Sequence, residues 1–187
     1  MPNIWFTADF RFGHSNIIRY CNRRFKASRK WIERSSTVST TPLRPMTSSI
    51  SISSGIFASG ARRKRWSTAS RFAARRFLGA GESRQTNSQA DREFSWLSNL
   101  AEISIHGQPI VICHYAMRVW NRSHHGAWHL YGHSHGNLPD TPSLSMDVGV
   151  DTHDFRPWHF DKISTLMAER VKRRAAPEHP SQSSIHD

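Results

Sequence analysis

Acidic side chains are scarce across the middle of this sequence. No aspartate occurs between Phe10 and Ala90, and residues 27–90 set only Glu33 and Glu82 against twelve Lys or Arg. Cysteine is nearly missing: Cys21 and Cys113 lie far apart, which excludes a disulfide framework and suits a reducing compartment. Long apolar runs are also absent, and nothing approaches the roughly 18 residues that a membrane span requires. The opening MPNIWFTADF has neither the basic nor the apolar region of a secretory signal. Together these predict a cytoplasmic protein with no membrane partner.

The chain has 187 residues, enough for one domain with a real core, and a net charge of +12. That charge is local. Residues 27–90 carry +10 of it, and the rest of the chain, with fourteen basic and twelve acidic side chains, carries +2. A basic excess of this size ordinarily points to nucleic acid. Confined to one segment with few interleaved aromatics (Trp66, Phe72, Phe77), it makes nucleic-acid binding an alternative, not the leading reading.

Three zones follow in order. Ile4-Trp5-Phe6-Thr7-Ala8 reads as a buried strand with Asp9 at its C-terminal end, and Asn16 to Tyr20 reads as the start of a helix. A polar loop after a strand is the usual place for a site in an α/β fold. From Ser35 to Ser54, twelve of twenty residues are Ser or Thr and no period survives, so residues 27–90 read as disordered or non-native. Beyond Asp91 globular patterning returns. Phe94 to Leu97 could begin a helix; Ile103–Ile105 and Pro109–Cys113 read as strands joined at His106-Gly107-Gln108. Leu144–Val150 reads as a further strand and Phe160–Arg174 as a closing helix. Residues 1–174 therefore form a single domain, and 175–187 a flexible tail.

Among twelve histidines an isolated His-x-His means little. Here Gly132 and Gly136 bracket His133-Ser134-His135, and His114 directly follows a five-residue apolar run. Glycine allows the tight loop, and the run places His114 at a strand end. Neutral imidazole is the commonest metal ligand, so His114, His133 and His135 are candidate ligands.

These residues resemble the calcineurin-like metallophosphoesterases, in particular their short bacterial members. Asp9 matches the first strand-end Asp, His114 a lone His, and Gly132-His133-Ser134-His135 the Gly-His-x-His. HYAMRVWNRSHHGAWHLYGHSHGN and MDVGVDTHDFRP look similar throughout. The likeness covers residues 3–26 and 100–165. It implies an α/β fold arranged as a four-layer α/β/β/α sandwich with two divalent ions, Mn2+ foremost and Fe, Zn or Ni also admissible. It further implies a phosphate monoester, diester or nucleotide substrate. Asp9 and His135 would serve one ion, His114 and His133 the other.

The sequence departs from that pattern twice. Arg11 stands where the family has a metal-binding His; a guanidinium has no lone pair, and at about 4 Å a dication would repel it by roughly 8 kcal/mol at an effective dielectric of 20. The middle zone also lacks the Gly-Asp and Gly-Asn-His motifs, and with them the bridging carboxylate, an Asn ligand and the His expected to protonate the leaving group. A shifted reading frame would account for this, with a true insertion as the alternative. The codons of Trp31-Ile32 and of Met46-Thr47 each force an Asp in the frame beginning at the third base. With permitted codons, Ser54–Phe57 encodes Gly-Asp-Phe in that frame, and Gly81–Arg84 encodes Gly-Asn-His-Asp in the other. Turnover by the chain as written is therefore expected to be low or absent. Non-catalytic metal binding stays open as a further alternative.

Arg118, Asn121, His124 and His125 lie between His114 and the Gly-His-x-His. Arg118 and Asn121 are candidate substrate contacts, since Arg can grip phosphate oxygens bidentately. His124 and His125 are candidate proton donors. His14, three residues past the Arg11 position, joins the catalytic candidates as a further candidate substrate contact. Trp120 and Trp128 read as packing, and Asp147, Asp151 and His153 as organisers of the turn after the metal loop.

Overall fold

The computed structural model describes residues 3–9, 16–24, 47–52, 77–79 and 96–175. Among these, nine strands build two sheets. The first has the order β4-β3-β2-β1-β9, where β1 is Asn3–Ala8, β2 Thr47–Ile52, β3 Phe77–Gly79, β4 Trp96–Ser98 and β9 Trp158–His159. Strands β1 to β4 run parallel, and β9 pairs antiparallel with β1 through Trp5↔His159 and Phe6↔Trp158. The second sheet has the order β5-β6-β7-β8, with β5 Leu100–Ile105, β6 Gln108–Cys113, β7 Trp128–Tyr131 and β8 Ser145–Asp147. Only Asn99 separates β4 in one sheet from β5 in the other.

Local chemistry explains these elements. The two-residue link from β5 to β6 needs positive φ at both positions, and His106 (φ 50) with Gly107 (φ 82) supplies it, fixing the pairing Ile105↔Gln108. Every residue of β7 is buried, and Ile110, Val111 and Ile112 of β6 are buried beside it, so both strands read as near-continuous apolar runs. Helix α1 is the single turn Asn16–Tyr20, anchored by Ile17. Helix α2, Phe160–Ala175, buries Phe160, Ile163 and Met167 at helical spacing. Asp161 opens it and Lys172, Arg173 and Arg174 close it, both favourable to the helix dipole.

One apolar cluster unites the pieces. It joins Phe6 and Ala8 of β1 with Ile110 and Ile112 of β6, Leu130 of β7, Met146 of β8 and Ile163 and Met167 of α2. Trp120 and Trp128 belong to it, as their packing role requires. A single parallel bridge, Ala8↔Gly149, ties the end of β1 to the segment after β8.

The protein is thus mixed α/β, with few helices among the described residues. The expected strands at 4–8, 103–105 and 109–113 and the closing helix are present. Three expectations need correction. Phe94 to Leu97 does not open a helix among the described residues: Trp96–Ser98 is a strand, because pairing Phe77↔Trp96 through Gly79↔Ser98 supplies its backbone with partners. The strand expected over 144–150 shortens to Ser145–Asp147, since the chain turns into a 3₁₀ segment at Val150–Thr152. Segment 27–90, expected to be disordered or non-native, contributes two strands. Thr47–Ile52 (TSSISI) combines β-branched residues with alternation and pairs with β1 along its whole length; Phe77–Gly79 lies beside it. Tail residues 176–187 and the remainder of 27–90 lie outside the described residues. No described helix is long and apolar enough to cross a membrane.

Candidate metal centre

Three strand ends meet at one place. Asp9 follows β1, His114 follows β6, and His133 and His135 follow β7. Asp9 is fully buried and sits at φ 60, a left-handed conformation that Asp tolerates better than most residues. Its Oδ2 accepts a hydrogen bond from the His133 backbone N–H at 2.7 Å, and His114 Nε2 lies 3.9 Å from Asp9 Oδ1. The His114 and His133 rings are 5.1 Å apart, near-perpendicular at 77°. Tyr115 packs edge-on against both, at 5.1 Å and 4.7 Å. His114 is fully buried while His133 is exposed, so the group has a protein floor and a solvent-facing side.

Gly132 makes this approach possible. A Cβ there would stand 2.6 Å from both Ala8 Cβ and Asp9 Oδ2, and the Gly132 N–H donates to the His114 carbonyl at 3.1 Å. Asp147 braces the rest of the loop. Its Oδ2 accepts from Ser134 Oγ at 2.7 Å and from the Gly136 N–H at 2.9 Å, and its Oδ1 from the Gly149 N–H at 2.7 Å. His133 (φ 68), His135 (φ 50) and Gly136 (φ 76) all adopt the left-handed region in this short loop.

His135 faces a second set of partners. Its Nδ1 is 2.6 Å from Asp151 Oδ2, and Asp151 in turn takes two hydrogen bonds of 2.7 Å from the buried Arg23 guanidinium. Arg23 Nη2 also donates to the Asp9 carbonyl at 2.9 Å, so one side chain ties the end of β1 to the turn after β8. The donor atoms of Cys21, His135 and Asp151 lie within 4.8 Å of one another. Burial pulls the His135 imidazole down, but hydrogen bonds to Asp151 and Cys21 and the charges of Asp9 and Cys21 outweigh it and push its pKa up to about 10. Burial pushes Asp151 up, and the hydrogen bonds and charges of His135 and Arg23 overcome this, leaving it below the usual carboxylate range. Both shifts favour the charged pair, an imidazolium facing a carboxylate.

His129, one of the central β7 residues, is a different kind of histidine. Met117 N–H donates to its Nε2 at 3.1 Å, which makes Nδ1 the protonated nitrogen, donating to the Val111 carbonyl at 3.1 Å. Burial lowers its pKa, opposed in part by the Val111 and Tyr115 carbonyls. It is a satisfied core residue.

The four metal candidates divide in two: Asp9, His114 and His133 come together, and His135 is held beside them by Asp151. Asn121 points elsewhere, its Nδ2 donating to Glu102 Oε2 on β5 at 2.9 Å. His124 and His125 form an exposed 3₁₀ turn with their rings 4.1 Å apart, and Arg118 is exposed on the preceding segment. Arg11 and His14 lie outside the described residues. Sequence reasoning missed Arg23 and Cys21, since nothing local marks either one; the side chains they meet, Asp151 and His135, lie more than a hundred residues away.

No family model and no curated protein matches this chain. Among solved structures it is similar to a protein of unknown function, AQ665, from Aquifex aeolicus. The two share 18% identity with a TM-score of 0.68, over 89% of this chain and 100% of that one. At this identity the likeness speaks to the fold alone.

Proposed function

We propose that this chain is built on the plan of a metal-dependent phosphoesterase of the calcineurin-like type, with the four-layer sandwich that plan implies. Its own turnover is impaired by the missing middle motifs. The observation that carries the proposal is the convergence of Asp9, His114 and His133 from the ends of three strands in two sheets. A carboxylate and imidazoles form an N/O donor set suited to Mn2+, Fe2+ or Zn2+. Asp9, His114 and His133 would hold an ion and His135 a second beside it, a grouping that departs from the Asp9–His135 and His114–His133 pairing the resemblance implies.

When bound, divalent ions supply an acidified water and neutralise charge on a phosphoryl group. The protein's own part is positional. Asp147 fixes the loop that presents His133, Tyr115 wedges the two imidazoles, and Arg23 holds the Asp9 backbone in place. Exposed Arg118 is the candidate grip for a phosphate oxygen, with His124 or His125 as proton donors. A phosphate monoester, diester or nucleotide in a cytoplasmic setting suits this site.

Two measurements on the purified chain test the proposal together. Mn2+ should bind, and His133→Ala should weaken that binding, while hydrolysis of a bis-aryl phosphodiester stays near background. Groups that act as a unit can cost on the order of 10⁶ in rate when lost. Robust turnover abolished by His133→Ala would refute the impairment, and absence of any metal binding would remove the phosphoesterase reading.

A further inference from the structure

We infer that Cys21 is a metal ligand, and that with His135 and Asp151 it forms a thiolate-containing site for a borderline-soft divalent cation of the Zn2+ class. The inference deepens the metal reading above and rests on it for His135; Cys21 and Asp151 are not among the metal ligands that the resemblance implies.

The three donor atoms already lie within 4.8 Å of one another, and all three residues are partly buried, open enough for a cation to enter. They arrive from separate segments: Cys21 directly after α1, His135 from the loop after β7, and Asp151 from the 3₁₀ turn after β8. What gathers them is buried. The Arg23 side chain, fully enclosed, clamps both Asp151 oxygens and the Asp9 carbonyl, which draws the turn carrying Cys21 against the metal loop. That turn is itself ordered, with the Cys21 N–H donating to the Ile17 carbonyl at 3.0 Å and the Arg23 N–H to Ile18 at 2.9 Å.

One sulfur, one imidazole nitrogen and one carboxylate oxygen leave a fourth position open on a tetrahedral ion, the pattern of three protein ligands plus solvent. The thiolate also sets the preference, since soft sulfur favours Zn2+ or Co2+ over the oxygen-loving Mn2+. On binding, the thiol proton and any proton on His135 leave to solvent, with no change of oxidation state.

Cobalt substitution reads the ligand directly. The full chain, stripped with chelator and titrated with Co2+, should develop a near-ultraviolet thiolate-to-cobalt charge-transfer band. Zn2+ should abolish the band, Cys113→Ser should retain it and Cys21→Ser should lack it. Zn2+ affinity should fall at least about tenfold in Cys21→Ser, the lower end of what even indirect partners of a metal cost. A second measurement needs no variant: Zn2+ should shield Cys21, but not Cys113, from alkylation, as scored peptide by peptide by mass spectrometry. Cobalt that binds with ligand-field bands alone, identical in Cys21→Ser, together with unshielded Cys21, would overturn the inference and leave the Asp9–His114–His133 reading standing. A chain that binds no cobalt at all would end both.

Discussion

Arg23 and Arg24 are neighbours in sequence with opposite surroundings, and replacing each by Met separates a buried ion pair from a surface one. The Arg23 side chain is 0% exposed and its partner Asp151 8%, whereas Arg24 and its partner Asp154 are 57% and 50% exposed. Removing one member of a buried pair costs about 3–5 kcal/mol; here Asp151 keeps His135 alone as its partner and the Asp9 carbonyl loses its Arg23 donor. The surface pair is screened and contributes roughly 0–1 kcal/mol. With a urea slope of about 2 kcal/mol per molar, Arg23→Met should lower the unfolding midpoint by about 1.5–2.5 M, against at most about 0.5 M for Arg24→Met. Tryptophan fluorescence reports the transition. Adding Asp151→Asn to Arg23→Met removes the carboxylate that has lost its guanidinium, so the double variant should lose less than the two singles combined, with a coupling of about 0.5–3 kcal/mol. Equal midpoints for the two single arginine variants would refute the reasoning, since Arg23 differs from Arg24 in its burial and in its added bonds to Asp151 and the Asp9 carbonyl.

Other perturbations reach different parts of the site. Gly132→Ala places a methyl group 2.6 Å from Asp9 Oδ2 and Ala8 Cβ, so it should cost about 1–3 kcal/mol and weaken Mn2+ binding; calorimetry showing unaltered affinity would contradict the packing described. Asp147→Ala frees Ser134, Gly136 and Gly149 together and should loosen the metal loop by roughly 1–3 kcal/mol, visible as faster amide exchange over residues 132–137. Stability of the metal-free chain should depend on pH in two senses. His129 is depressed, so the unfolded chain binds more protons below about 6.5 and stability falls as pH drops through that window. His135 is raised to about 10, so its contribution is fully present below about 6.5 and is lost as pH climbs towards 10. Denaturation midpoints should therefore peak near neutrality, and His135→Gln should flatten the alkaline limb but not the acid one; an unchanged alkaline limb would dismiss the His135–Asp151 pairing.

Much of the second sheet was legible in the chain. His106-Gly107 announces a tight hairpin, the apolar run 109–113 announces β6, and Phe160 onward carries a helical period that ends in basic residues. The loop of His133 and His135 stood out as a candidate site because glycines and histidines sit within a few residues of each other. What could not be seen depends on distance along the chain. Trp96–Ser98 is a strand because β3 lies beside it, not because three residues dictate it. Thr47–Ile52 hides among serines, and only its register with β1 shows the alternation to be real. Arg23 looks like one surface arginine among many until Asp151, 128 residues later, closes over it. Asn121 showed the converse: its position near the histidines suggested a substrate contact, yet its amide is committed to Glu102.

Asp9 hangs from the first sheet, while the imidazoles nearest it hang from the second, with the Ala8↔Gly149 bridge, the His133 N–H bond to Asp9 and the Arg23 clamp beside them. Any cation lodged there fastens two halves of the molecule like a rivet through overlapping plates. Loading the pocket and locking the halves together then become one event, and resistance to proteolysis should track occupancy even where no ester is ever cut.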